Sequence, residues 1–136
     1  MAIDKEKLVK DFFAAWNSRD PEKIARCYAD DGIFEEVPTG KVFRGKNELI
    51  ATFKNIFIDY PDLKCEQRAA FYSQNAVCGE FVMSGTHAPS TDPAVPVTGK
   101  HISVRVAYII ELQKDKVKRH TDYFDGATIG RQLGLM

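Results

Sequence analysis

The chain has 136 residues, enough for one domain with a substantial core and too few for two. Hydrophobic residues make up 44%, charged residues 28%, and nineteen basic side chains balance nineteen acidic ones at a pI of about 6.8. That is the composition of an ordinary globular domain, without the basic stripe that nucleic acid or an anionic membrane would call for. No apolar run reaches membrane-spanning length and the stretch "MAIDKEKLVK" is charged from Asp4, so neither a spanning helix nor a signal peptide is read, and cytoplasmic residence is the expectation.

Residues 4–17 predict a helix: Leu8, Phe12 and Ala15 recur at helical spacing, with Val9, Phe13 and Trp16 beside them and Asp4 as the cap. A second helix is predicted through "SRDPEKIARCYADDG", with Asp20 as N-cap, Pro21 in the first position and Gly32 after its end. "IFEEVP" reads as a short strand stopped by Pro38, and "KVF" as another. Residues 46–58 predict a third helix, striped by Leu49, Ile50, Phe53, Ile56 and Phe57 and ended by Pro61.

The period then changes. Residues 63–72, 76–87, 101–112 and 116–125 alternate or run β-branched and predict four long strands. The last two are joined by a tight hairpin at Lys114 to Lys116, and loop 88–99 carries three prolines and is long enough to cover something. "ATIGRQLG" predicts a short closing helix. Helices followed by a strand meander imply one α+β domain spanning 1–136, with a curved, mostly antiparallel sheet wrapped on the helices and a hollow between them.

Strand parity indicates what faces that hollow. Ile102, Val104, Val106, Tyr108 and Ile110 form an unbroken apolar set, which turns inward; His101, Ser103, Arg105 and Ala107 turn outward. The last strand is ambiguous. One face carries Lys118, His120, Asp122 and Phe124, the other Val117, Arg119, Thr121, Tyr123 and Asp125. It also places two carboxylates, Asp122 and Asp125, where Asp is ordinarily depleted.

Cys27, Cys65 and Cys78 are an odd, widely spaced set, which argues against a disulfide framework and a zinc site. The three histidines show no HxH or HExxH spacing, so no metal site is read. "TGK" at 98–100 lacks the glycine spacing of a phosphate loop, and no GxSxG elbow is present.

The segments "DPEKIARCYADDGIFEEVP", "FRGKNELI", "GTH", "PVTGK" and "HTDYFD" followed by "RQLG", in that order, resemble the SnoaL-like branch of the nuclear transport factor 2-like superfamily. That branch includes polyketide ring cyclases, with limonene epoxide hydrolases as more distant relatives. The resemblance implies a cone-shaped α+β barrel with a central pocket, and commonly a homodimer formed through the other face of the sheet. Here that face would carry His101, Ser103, Arg105, Arg119, Thr121 and Tyr123. In the hydrolases the matching segment reads Trp-Arg-Asp-Tyr-Phe-Asp. Its pocket-facing catalytic Asp matches Asp122, so that His120 takes the Trp position and Phe124 a pocket position, while Asp125 points outward or begins the C-terminal turn.

These matches imply a particular chemistry. Asp122 in an apolar hollow would be desolvated, raising its pKa and suiting it to acid or base work near neutral pH; the bland reading is a buried, hydrogen-bonded structural Asp. Phe34 and Glu36 match a Tyr and an Asn that position water in the hydrolases. Glu36 either shares the cavity and a proton with Asp122 or lies exposed at the strand end. His87 lies near the pocket mouth by the resemblance, or merely caps its strand. The hydrolases' remaining Arg and Asp have no match in "GEFVMSGTH", which disfavours epoxide hydrolysis. The expected catalytic set is Asp122, His87 and Glu36. The expected wall is Phe12, Trp16, Phe34 and Phe53 with Val104, Val106, Tyr108, His120 and Phe124, an aromatic-rich surface suited to an apolar small molecule. The resemblance implies an intramolecular aldol-type closure or isomerisation of a carbonyl compound with no cofactor. The competing expectation is a non-catalytic binding or dimerisation domain.

Overall fold

The computed structural model describes residues 3–88 and 90–136. Helix α1 spans Lys5–Ser18. The Asp4 carboxylate accepts a hydrogen bond from the Lys7 backbone N–H at 3.0 Å, satisfying one of the free donors of the first turn. Its apolar face, Val9, Phe12, Phe13 and Trp16, is buried, and the helix stops at Arg19, whose backbone is left-handed (φ 59°). Helix α2, Pro21–Arg26, starts where the sequence places it: Asp20 accepts from the N–H groups of Glu22 and Lys23. It is shorter than the sequence predicts. Strand β1 begins at Tyr28 and runs to Glu36, absorbing residues read as the end of the helix. The cause is tertiary. The Val117 N–H binds the Cys27 carbonyl at 2.9 Å and Tyr28 is buried, so long-range pairing outweighs local helix preference.

Strand β2 (Lys41–Arg44) and helix α3 (Lys46–Asp59) come next in the chain, then β3 (Lys64–Tyr72), β4 (Ala76–Thr86), β5 (His101–Gln113), β6 (Lys116–Tyr123) and helix α4 (Gly126–Gln132). The sheet order is β2-β1-β6-β5-β4-β3. All neighbours are antiparallel except β1 and β6, which run parallel. The fold is the expected α+β arrangement of a curved, mostly antiparallel sheet on helices; the sheet curls without closing, with β2 and β3 as its two edges.

On β5 the inner set Ile102, Val104, Val106, Tyr108 and Ile110 is buried and the residues between are exposed, the alternation of a sheet covered on one face. Helix α1 lies over the middle of this face: the Phe13 ring sits edge-on to Phe81 and Tyr108, with centroids 5.3 and 5.5 Å away. Strand β6 does not alternate throughout. Glu111 pairs with Arg119 and Leu112 with Val117, so Lys118 is a bulge residue with no partner of its own. The bulge lets Val117 face inward before it and His120 and Asp122 face inward after it. Neither face expected from strict alternation is therefore complete. The strand also ends earlier than predicted, at Tyr123, and Asp125 caps α4 by accepting from the Ala127 N–H at 3.0 Å.

A second bulge lies in β3, where the register against β4 shifts between Gln67 and Ala69. A Cβ added at Gly79 would lie 2.0 Å from the Ala69 carbonyl oxygen and 2.9 Å from the Tyr108 hydroxyl. Gly79→Ala should therefore destabilise by about 1–3 kcal/mol through overpacking. A urea midpoint equal to that of the wild type would contradict this bulge.

Candidate active site

Between α1, α3 and the concave side of the sheet lies a cavity of about 330 Å³. Helix α1 spans the sheet here, its Phe13 ring against Phe81 and Tyr108 and its Phe12 and Trp16 rings against His120 and Phe34, and the cavity lies between these rings and α3. Phe12, Phe13 and Trp16 of α1, with Phe34, Phe43 and Phe81 of the sheet, give it an aromatic wall. Glu36, His120 and Asp122 supply ionisable groups on the sheet side, and Thr39, Lys41, Asn55 and Asp59 supply other polar groups. Loop 88–99, described except for residue 89, is tied down beside it. Asp59 accepts from the Thr91 N–H at 2.7 Å and from its hydroxyl at 3.1 Å, and Thr91 is itself a lining residue.

The sheet-side groups form a hydrogen-bonded chain. The Tyr28 hydroxyl lies 2.9 Å from His120 Nδ1, and His120 Nε2 lies 2.6 Å from Asp122 Oδ1. All three residues are buried, Tyr28 at 1%, His120 at 3% and Asp122 at 7% exposure. A carboxylate can only accept, so the 2.6 Å contact takes its hydrogen from the ring, and Nε2 donates to Asp122. Nδ1 then accepts from the Tyr28 hydroxyl. Aromatic rings hold the imidazole in place: Phe34 stacks on it at 4.9 Å and Phe12 meets it edge-on at 5.3 Å. Burial and then the charge of Asp122 push the Tyr28 hydroxyl well above its ordinary value. The same two causes, in that order, push the Cys65 thiol across the cavity up to about 12. Among the described residues the buried Trp16 indole N–H finds no hydrogen-bond acceptor.

Glu36 reaches the same place from β1. Parallel pairing sets Phe34 beside His120 and Glu36 beside Asp122, and the Val37 N–H donates to the Asp122 carbonyl at 3.0 Å. In a parallel pair, residues in register share a face, so both carboxyl groups point into one cavity. Burial, then the neighbouring Asp122, raises the Glu36 pKa above its ordinary 4.5, against a smaller opposing effect of Lys41.

The structure brings Asp122, Glu36, Phe12, Trp16, Phe34, His120 and Phe124 to the cavity. Four expected wall residues are corrected. Val104, Val106 and Tyr108 are core positions, with α1 packed over the middle of β5, and only Ile102 of that strand's inner set reaches the cavity. Phe53 is fully buried behind the wall, against Trp16 at 5.0 Å. His87 is also corrected: it does not line the cavity. Its Nδ1 accepts from the Thr98 N–H at 3.2 Å, its ring lies 5.4 Å from Tyr60, and it anchors the loop. Tyr28 escapes a sequence reading as a site residue because it sits in the segment predicted to be helical. Among the described residues no three His, Cys, Asp or Glu side chains are grouped as metal ligands, and no helix is long and apolar enough to cross a membrane.

A family model described as a SnoaL-like domain matches residues 9–120. Solved structures share the fold. A protein described as a candidate polyketide cyclase from Pseudomonas putida superposes with a TM-score of 0.84 at 18% identity, over 96% of this chain and 98% of that one. A candidate SnoaL-like polyketide cyclase from Shewanella putrefaciens does so with 0.84 at 14% identity, over all of both chains. A hypothetical protein of ketosteroid isomerase-like fold from Catenulispora acidiphila does so with 0.82 at 16% identity, over 100% and 96%. No curated protein matches the chain.

The raised Glu36 pKa is a statement about stability. Between the unfolded value near 4.5 and the higher folded value, the native state binds more protons than the unfolded one, so stability falls as pH rises through that window. Glu36→Gln should therefore be more stable than wild type at pH 7, with the difference closing at and below about pH 4. Denaturant midpoints across about pH 4–8 check this, and equal midpoints at neutral pH would refute it.

Proposed function

Given that the chain belongs to the SnoaL-like family, we propose that it is a cofactor-independent enzyme that moves a proton on an apolar carbonyl compound, in an aldol-type cyclisation or an isomerisation. The observation that carries this reading is the position of Asp122: a buried carboxylate on the wall of an aromatic cavity, held on one side by His120. A carboxylate removed from bulk water and fixed in direction suits the removal of a proton from carbon next to a carbonyl. The aromatic wall holds a compact molecule by its apolar surface, and fixing its conformation supplies much of the rate in an intramolecular closure.

Asp122 is the proposed acid/base, with Phe12, Trp16, Phe34 and Phe124 as the substrate-binding surface. Epoxide hydrolysis is disfavoured, because the Arg and Asp that complete the water-activating set in those enzymes are absent from β4. Its one acidic residue, Glu80, pairs with Arg105 on the outer face at 2.7 Å. The competing reading is a binding domain that uses the same cavity without turnover.

Proton exchange at carbon discriminates the two. In D2O, a panel of apolar ketones with acidic C–H bonds should exchange deuterium faster with the wild-type protein, and Asp122→Asn should lower the rate by about 10²–10⁴-fold, the range typical of a lost acid/base group. Binding without exchange by the wild type would establish the binding domain and overturn the enzyme.

We also propose a homodimer through the outer face of β5 and β6, where Ile109 and Tyr123 are exposed at 39% and 44%; Thr121 of that face is already buried within one chain. Sedimentation should give twice the chain mass at micromolar concentration, and a single-chain mass would refute it.

A further inference from the structure

The cavity holds two carboxyl groups with unequal partners. Asp122 receives the His120 Nε2–H at 2.6 Å, whereas the Glu36 side chain has no hydrogen-bonded partner among the described residues and is the member whose charge burial and Asp122 oppose. Two carboxylates at paired positions on one cavity wall do not both ionise readily, and a hydrogen bond donated to one of them favours its charged form.

We propose that His120 is a positioning residue, oriented by the Tyr28 hydroxyl, that decides which carboxyl of the pair is charged: Asp122 carries the charge and Glu36 carries the proton. Tyr28 matters because a hydroxyl on Nδ1 leaves the hydrogen of the ring on Nε2, aimed at Asp122. The chain Tyr28–His120–Asp122 thus biases a proton held on another strand. The other groups facing the pair are consistent with this order. Lys41 on β2 and His120 itself favour a charged Glu36, but their effects are smaller than those of burial and Asp122. Cys65 on β3 stays a neutral thiol. Asp59, at the end of α3, is bound to Thr91. The Arg119 and Glu35 charges pair with each other and belong to residues on the opposite face.

The inference rests on the proposed reaction only for its use. With a carbonyl compound in the cavity, the C–H proton would pass to Asp122, and its electron pair would form the C=C bond. The carbonyl π pair would move to oxygen, which would take the Glu36 proton, leaving a neutral enol, a protonated Asp122 and a charged Glu36. Return of both protons, at the same carbon or another, restores the pair.

The test needs no substrate, so it stands apart from turnover. The Glu36 carboxyl carbon is followed by carbon-detected NMR titration, assigned with Glu36→Gln, in three proteins: wild type, the double variant Tyr28→Phe/His120→Phe, and His120→Gln. The double variant removes both partners of the Tyr28–His120 hydrogen bond, so that only Asp122 loses a partner, and keeps aromatic volume. Gln retains an N–H for Asp122 and an oxygen for Tyr28. In the wild type Glu36 should titrate above its ordinary range. In the double variant Asp122 loses its donor and competes for the proton, so the Glu36 midpoint should shift down; in His120→Gln it should stay near the wild-type position. A His120 acting only through its own positive charge would give the opposite sign, since its removal would shift Glu36 up. An upward shift or no shift in the double variant, or an equal fall in His120→Gln, overturns the proposal. Absent deuterium exchange beside the expected titrations would overturn the proposed reaction and leave the charge order standing.

Discussion

The parallel pairing of β1 with β6 is the contact on which the site depends. Among the described residues it is the one parallel ladder in an otherwise antiparallel sheet, and parallel partners cannot be joined by a hairpin. The two strands come from opposite ends of the chain: Tyr28 and His120 are 92 residues apart. Register then does the rest. Phe34 falls beside His120 and Glu36 beside Asp122, which stacks a ring on the imidazole and brings a second carboxyl to the first. A slip of one residue would turn both inward groups of either strand to the other face.

The polar groups at this junction lie in surroundings that oppose them. Aromatic rings surround His120, and burying a carboxylate without partners is costly. The chain from Tyr28 through His120 to Asp122 resolves most of that cost by giving each buried polar atom along it a partner. What it leaves uncompensated is informative. Glu36 has only the smaller effects of Lys41 and His120 to favour its charge, and Trp16 Nε1 has no hydrogen-bond partner among the described residues. Two adjacent carboxyls, one supported and one not, form an arrangement in which acid and base roles separate through environment alone.

The cavity lies between the aromatic face of α1, helix α3 and the inner face of the sheet. Helix α1 rests on Phe81 and Tyr108 through Phe13 and on His120 and Phe34 through Phe12 and Trp16, and the space these rings leave toward α3 is the cavity. Three irregularities help shape this sheet, one at Lys118, one near Arg68 and one in β1 between Tyr28 and Ile33. Bulges bend strands and re-aim side chains, and the bulge at Lys118 is what allows both Val117 and His120 to face inward. The Asp59–Thr91 contact and the His87–Thr98 contact hold the long loop beside the opening.

By itself the sequence determined the long helices, the inward face of β5, the capping roles of Asp4 and Asp20, and the domain's class, because these arise from periodicity and cap chemistry that act over a few residues. Resemblance of short motifs singled out Asp122 and Glu36. Only the tertiary structure decided that Tyr28 belongs to a strand, that its hydroxyl meets His120, that Val104, Val106 and Tyr108 lie under α1, and that His87 anchors a loop. The physical reason is one of range. A bulge breaks the two-residue period from which faces are read, and a parallel partner is chosen by the packing of the whole sheet. The meeting of Tyr28, Glu36, His120 and Asp122 is therefore a property of the assembled fold, carried by no stretch of sequence alone.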